Sequence, residues 1–188
     1  MTEQDLVELC KSGDRRALKL LYDRYATWMM GISMRYVGNE EDSRDILHDS
    51  FVKIFRSIDS FEYRGVGSLS AWLSRIVINN ALAFLKKEQN LLQMHEDILS
   101  IDIHDNMMSD EDDTDLYAAV SDEIIIYCVG KLPKRLRMVF NLFMFEDMPH
   151  CDIAKELGIS ESASRVRLHR AKALMAEAIT EQIKRMER

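Results

Sequence analysis

The chain has 188 residues, 47% of them hydrophobic and 30% charged, with a formal net charge of −7 from 25 Lys and Arg against 32 Asp and Glu. This composition excludes a disordered chain. Seven glycines and two prolines are too few breakers for a turn-rich β sandwich or barrel, since the two types usually make up ~12% of a chain. The acidic total also argues, at first sight, against binding nucleic acid.

In chain order, Thr2 can cap a short helix that ends before Ser12-Gly13, and Asp14 opens a longer one. There Ala17, Leu18, Leu21, Tyr25, Trp28, Met29 and Ile32 recur at spacings of three and four, which predicts an amphipathic core helix. Gly38-Asn39 breaks the pattern, and a third helix from about Glu40 would bury Ile46, Leu47, Phe51, Ile54, Phe55 and Ile58. A loop over 59–67 holds Gly65 and Gly67, and a fourth helix is expected from about Ser68 to Lys87. Residues 88–118 follow with ten acids and no Lys or Arg. Their like charges repel, and they read as a linker. A helix completes at Ile124 to Leu132, and Pro133 and Pro149 stand where further helices begin, a position where a missing N–H costs nothing. Helices are expected over about 133–145, 149–157 and 160–186. No strand-like alternation persists, so the fold class is all-α: two small helical domains, 1–87 and 119–188, joined by the acidic linker 88–118.

The linker also corrects the first inference from charge. Residues 1–87 hold 13 basic and 12 acidic side chains, and residues 119–188 hold 12 basic and 10 acidic, so both domains are slightly basic. Cys10, Cys128 and Cys151 are odd in number and form no CxxC, which disfavours a disulfide framework or zinc finger and fits a reducing cytoplasm. The charged N-terminus lacks the apolar core of a signal peptide, and no apolar run approaches the ~20 residues of a membrane span. A cytoplasmic protein without membrane insertion is expected. No Gly-rich phosphate loop, paired-carboxylate site or cofactor motif stands out, and His150-Cys151, adjacent on a helix, would point apart. Nothing reads as an enzyme.

Three segments carry chemistry. In PHCDIAKELGISESASRVRLHRAKALM (149–175), a short helix burying Ile153, Ala154 and Leu157 meets a turn at Gly158-Ile159, and Ser160 caps a second helix. That is the sequence form of a helix-turn-helix. Ser164, Leu168, Ala171 and Met175 form its inward stripe. Ser162, Arg165, Val166, His169 and Arg170 project outward, with Arg167 and Lys172 on the flanks, so guanidinium groups can read guanine in a major groove while the flanks grip phosphate. In FEYRGVGSLSAWLSRIVINNALAFLKK (61–87), Phe61, Tyr63 and Trp72 interleave with Arg64, Arg75, Lys86 and Lys87, the mixture of stacking and cationic groups that holds unstacked single strands. The plainer alternative makes Phe61 and Trp72 core residues and the cations a solvated face. In DSRDILHDSFVKIF (42–55), Asp45, His48 and Asp49 share an exposed helix face. They suit a protein-docking surface better than a metal site, which would lack a partner motif elsewhere.

Taken in this order, the segments resemble an extracytoplasmic-function sigma factor, the small two-domain class of the sigma-70 family of bacterial RNA polymerase specificity subunits. ALKLLYDRYATWMMGISMRYVGNEEDSRDILHDSFVKIFRSIDSF resembles the start of sigma region two, the 61–87 segment its promoter-melting part, and LPKRLRMVFNLFMFEDMPHCDIAKELGISESASRVRLHRAKALM region four. The resemblance implies that Asp45, His48 and Asp49 dock on the polymerase clamp, with His48 where the family usually has Gln. It implies that the loop from Glu62 to Gly67 captures a base flipped from the non-template strand. Tyr63, Arg64, Trp72, Arg75, Asn79 and Asn80 would then serve the minus-ten element and melting. Ser162, Arg165, Val166, Arg167, His169, Arg170 and Lys172 would serve the minus-thirty-five element, while Leu132, Leu136 and Val139 would lie near the polymerase flap. The implied partners are core RNA polymerase, promoter DNA and an anti-sigma factor, with no cofactor and no resident metal. Family linkers thread the RNA-exit channel, where ten carboxylates would imitate RNA phosphates. Ser162-Ala163-Ser164 stands where the family commonly has Gly-Thr-Val, and a serine in the inward stripe is expected to weaken packing. Two other classes compete: an autonomous helix-turn-helix regulator, and a helical metal-binding adaptor centred on Asp45, His48 and Asp49.

Overall fold

The computed structural model describes residues 1–93 and 120–186, and every regular element among them is helical. The chain divides into two compact units, Met1–Phe84 and Leu85–Arg188. In the first, α1 (Glu3–Lys11) starts with a reciprocal capping box: Asp5 N–H donates to Thr2 Oγ1 at 3.1 Å and Thr2 N–H to Asp5 Oδ2 at 2.9 Å. Asp14 caps α2 (Arg15–Val37), accepting from Arg16 and Ala17 N–H at 2.7 and 3.1 Å. The helix ends where Gly38 takes φ 83°, a left-handed conformation that costs other L-residues a steric clash. Asn39 then caps α3 (Glu40–Ser57), whose first turn carries Glu40, Glu41 and Asp42 against the positive end of the helix dipole. A single 3₁₀ turn, Ile58–Ser60, leads into the loop before α4 (Ser68–Gln93), whose residues up to Phe84 belong to this unit and whose last turns, from Leu85, belong to the second.

Leu6 of α1, Leu21 and Met29 of α2, Ile54 of α3, and Leu69 and Leu73 of α4 are fully buried and form the centre of this unit. Helices α2 and α3 meet at two small polar residues: Ser33 Oγ donates to Ser43 O at 3.2 Å and Ser43 Oγ to Asn39 O at 2.5 Å. Their hydroxyls are satisfied by backbone, so close approach leaves no orphaned polar group. Trp28 and Phe55, expected on the buried stripes, are instead 43% and 37% exposed. Trp28 lies edge-on to Tyr25 and Phe55 against Phe51, with centroids 6.2 and 5.7 Å apart. Periodicity marks which face of a helix turns inward, but not how far neighbouring helices extend across it.

Helix α4 also runs six residues past the expected start of the linker, because EQNLLQ contains no glycine or proline and is built of good helix formers. Its stretch Ser68–Lys87, at a mean hydropathy of 1.2, is long and apolar enough by composition to cross a membrane. In the fold those apolar residues are instead core: Leu69, Leu73, Val77, Ala81 and Leu82 are buried. The remainder of the acidic segment, 94–119, lies outside the described residues.

In the second unit, α5 (Asp122–Lys131), α6 (Lys134–Met144) and α7 (His150–Leu157) pack against the long α8 (Glu161–Met186). Pro133 and Pro149 sit immediately before α6 and α7, and their carbonyls accept from the third and fourth N–H groups of each helix at 2.9–3.0 Å. Ser164, Leu168, Ala171, Met175 and Ile179 form a fully buried stripe along α8 against Val129, Val139, Phe140, Leu142 and Ile153. Ala154 and Leu157, expected to be buried, are half-buried at the edge of this core. Leu132 and Val139 are buried too, so of the three residues placed near the flap only Leu136 reaches the surface.

Candidate nucleic-acid interface

The helix-turn-helix is α7, Gly158 and α8. Gly158 closes α7 with φ 65° and Ile159 N–H donates back to Ala154 O at 3.0 Å. Ser160 Oγ then accepts from Ala163 N–H at 3.1 Å, satisfying one of the donors that a helix start leaves open. His150 Nδ1 lies 2.8 Å from Ser164 Oγ, both side chains buried, and the imidazole stacks on Phe143 at 4.8 Å with 24° between planes. The Ser164 hydroxyl in the inward stripe is therefore not left unsatisfied. It pairs with a polar partner supplied by the other helix of the motif, which ties the two together. The sequence held a signal for this, a histidine and a serine each on an inward face, but spacing alone does not pair them. Cys151, next to His150, points to solvent.

Along the outer face of α8, Ser162, Arg165 and His169 are exposed, while Val166, Arg167, Arg170 and Lys172 are half-buried. Arg165 is tied to Glu161 one turn earlier, Nη2 to Oε1 at 2.6 Å. Burial and the neighbouring charge of Arg135 both press the Arg167 guanidinium below its ordinary pKa. Arg135, on α6, thereby joins the basic surface, a contribution that sequence reasoning missed because the two residues are 32 positions apart.

In the first unit the loop over 61–67 and the start of α4 make a second surface. Phe61 is buried and packs against the half-buried Trp72 with ring centroids 4.8 Å apart and 33° between planes, so Phe61 is a core residue and Trp72 borders it at the base of the loop. Arg64 N–H donates to Ser68 Oγ at 3.1 Å, and that hydroxyl donates to Gly65 O at 2.7 Å. Gly65 and Gly67 adopt φ 115° and 87°. The loop displays Val66 at 95% exposure and Arg64, which pairs with Glu62 at 3.1 Å, while Tyr63 is half-buried. Arg75 and Asn79 are exposed on α4, one turn apart. Asn80 departs from the expected face: its Nδ2 donates to Ser50 Oγ at 2.9 Å and its Oδ1 accepts from Lys53 Nζ at 3.4 Å. Its amide joins α4 to α3.

On α3, Asp45, His48 and Asp49 are all exposed, with His48 Nδ1 3.8 Å from Asp49 Oδ1 and both side chains about four-fifths solvent-accessible. Among the described residues no three His, Cys, Asp or Glu converge as a metal site. A helix-turn-helix with a basic outer face, following a helical bundle with an aromatic-based displayed loop, defines a DNA-directed two-domain protein. The sigma-70 region 2 family model matches residues 21–91, and the sigma-70 region 4 model matches 122–175. The ECF RNA polymerase sigma-E factor of Haemophilus influenzae is 30% identical over 185 residues, covering 95% of this chain and 96% of that one. The RNA polymerase sigma-H factor of Pseudomonas aeruginosa is 28% identical over 184 residues, covering 94% and 93%. Among solved structures, the sigma factor RpoE of Bartonella quintana, in complex with the anti-sigma factor NepR, matches at 19% identity and TM-score 0.46, over 86% of this chain and 96% of that one. The chain belongs to the extracytoplasmic-function sigma factors of the sigma-70 family.

Proposed function

We propose that this sigma factor recruits core RNA polymerase through Asp45, His48 and Asp49, reads the minus-thirty-five element with α8, and opens and reads the minus-ten element with the 61–67 loop and α4. The observation that carries the reading is the helix-turn-helix itself, with its two helices pinned by His150 and Ser164 and its basic outer face turned to solvent. Arg165, Val166, His169 and Arg170 face the base edges, with Ser162, Arg167 and Lys172 toward phosphate. On the minus-ten side, Tyr63, Arg64, Arg75 and Asn79 meet DNA, while Trp72 and Asn80 hold the surface that presents them. The working boundaries are 1–87 for region two, 88–118 for the linker and 119–188 for region four. The chain supplies no catalytic group; bond formation belongs to the polymerase, in the cytoplasm, and an anti-sigma factor is the regulatory partner.

Each block is nearly neutral, so few counterions are released on binding and the free protein has weak affinity for DNA. Run-off transcription from a cognate promoter is therefore expected only when core polymerase and this chain are combined. Tight sequence-specific binding by the chain alone at physiological salt would overturn the reading in favour of an autonomous regulator.

A further inference from the structure

The loop over 61–67 is anchored at one end by Phe61, which is buried and packs against Trp72. At its other end the partner comes from the far end of the sequence. Glu3, the first residue of α1, places Oε2 3.2 Å from the backbone N–H of Gly67, 64 positions away, and Oε1 3.0 Å from the hydroxyl of Tyr25 on α2. Helix capping does not account for this carboxylate, because Thr2 and Asp5 already form the capping box of α1. Tyr25 is 9% exposed and is held in its protonated, donating form by burial and by the carboxylate itself. Gly67 is the joint at which the loop becomes α4: its carbonyl accepts from Ala71 N–H at 3.0 Å and from Ser70 Oγ at 2.9 Å. One carboxylate thus joins α1, α2 and the entry to α4, and the chain between the two anchors projects Arg64 and the 95%-exposed Val66.

We infer that Glu3 is a positioning residue for strand reading, holding the 61–67 loop in the shape it presents to melted promoter DNA. The inference rests on the assignment of that loop to the minus-ten element. A flexible loop must be ordered as it captures a base, and ordering it beforehand removes that cost from binding. The hydrogen bond from Gly67 N–H to Glu3, at 3.2 Å and exposed, is of ordinary strength, but it ties the joint to α1, so losing it frees the Gly67 joint without touching any group that meets DNA.

The test compares wild type with Glu3→Ala, Glu3→Gln and Tyr25→Phe in transcription with core polymerase. Each is assayed on a cognate promoter and on promoters altered at single positions of the minus-ten element. The ratio of cognate to altered transcription should fall by about fivefold to tenfold in Glu3→Ala, the effect of one hydrogen bond of ordinary net strength. Glu3→Gln, which keeps one acceptor oxygen, should fall between Glu3→Ala and wild type. Competition against wild type for core polymerase should stay within about twofold, since the docking face of α3 is untouched. A lower melting temperature with unchanged promoter discrimination would make Glu3 merely structural and overturn the inference. Replacing Arg64 and Val66 by alanine is the second arm. If that also leaves discrimination unchanged, the assignment of the loop to the minus-ten element has failed. If it lowers discrimination while Glu3→Ala does not, only the positioning role has.

Discussion

Arg165 faces two competing partners. Its pair with Glu161, at 2.6 Å and about half exposed on each side, is of the kind that contributes about 0.3–0.5 kcal/mol. A bidentate contact to guanine contributes roughly 1–3 kcal/mol of discrimination, so DNA should draw the guanidinium away. Arg165→Ala or Arg170→Ala is expected to lose roughly 1–3 kcal/mol of minus-thirty-five discrimination, measured as relative transcription across promoter variants. A loss equal on all sequences would instead mark a phosphate anchor. Ser164 is a second residue, with a buried partner that spacing alone does not reveal. Removing its hydroxyl takes a hydrogen bond from a buried imidazole, so Ser164→Ala should cost about 1 kcal/mol or more rather than relieve a packing fault. Circular dichroism should show it as a lower unfolding midpoint. Tryptophan emission reports only on the other unit, since Trp28 and Trp72 both lie within Met1–Phe84.

At the scale of elements, the helix-turn-helix depends on its turn. Gly158 holds φ 65° with nothing within 4 Å of where a Cβ would stand, so the cost of substitution there is backbone conformation and not crowding. Gly158→Asn should be tolerated within about 1 kcal/mol, because asparagine visits the left-handed region. Gly158→Val should cost more and lower both the unfolding midpoint and transcription from a minus-thirty-five-dependent promoter. Equal tolerance of the two would mean that the left-handed backbone at Gly158 does not set the cost. Asn80 shows why a helical face read from spacing alone can mislead. It is adjacent to the exposed Asn79, but one step of 100° turns its amide toward Ser50 and Lys53 of α3.

Across the whole molecule, the net charge of −7 describes the linker and not the domains. Ten carboxylates fall in 88–118 without a balancing Lys or Arg, and on the proposal that this segment imitates RNA phosphates, like-charge repulsion would keep it off DNA. Replacing Asp110, Glu111, Asp112, Asp113 and Asp115 with asparagine should weaken holoenzyme assembly or change the ratio of abortive to full-length transcripts. Neither effect in a transcription assay would remove the idea of an RNA-like linker. The salt dependence of free and holoenzyme binding should differ as well, because the near-neutral blocks of the free chain release few counterions.

The all-α class, the capped starts at Thr2 and Asp14, the breaks at Gly38 and Gly158, and the buried stripe of α8 were all legible in the sequence. Each follows from local rules of spacing, capping and backbone freedom that act within a few residues. The basic outer face of α8 was legible for the same reason. What required tertiary structure was every pairing between distant positions: Glu3 with Gly67, His150 with Ser164, Asn80 with Ser50, and Arg167 beside Arg135. The exposure of Trp28 and Phe55 belongs with these, since it depends on where neighbouring helices stop. Periodicity assigns a side chain to a face, but a hydrogen bond also needs a partner at 3 Å, and only the packing of helices brings one there.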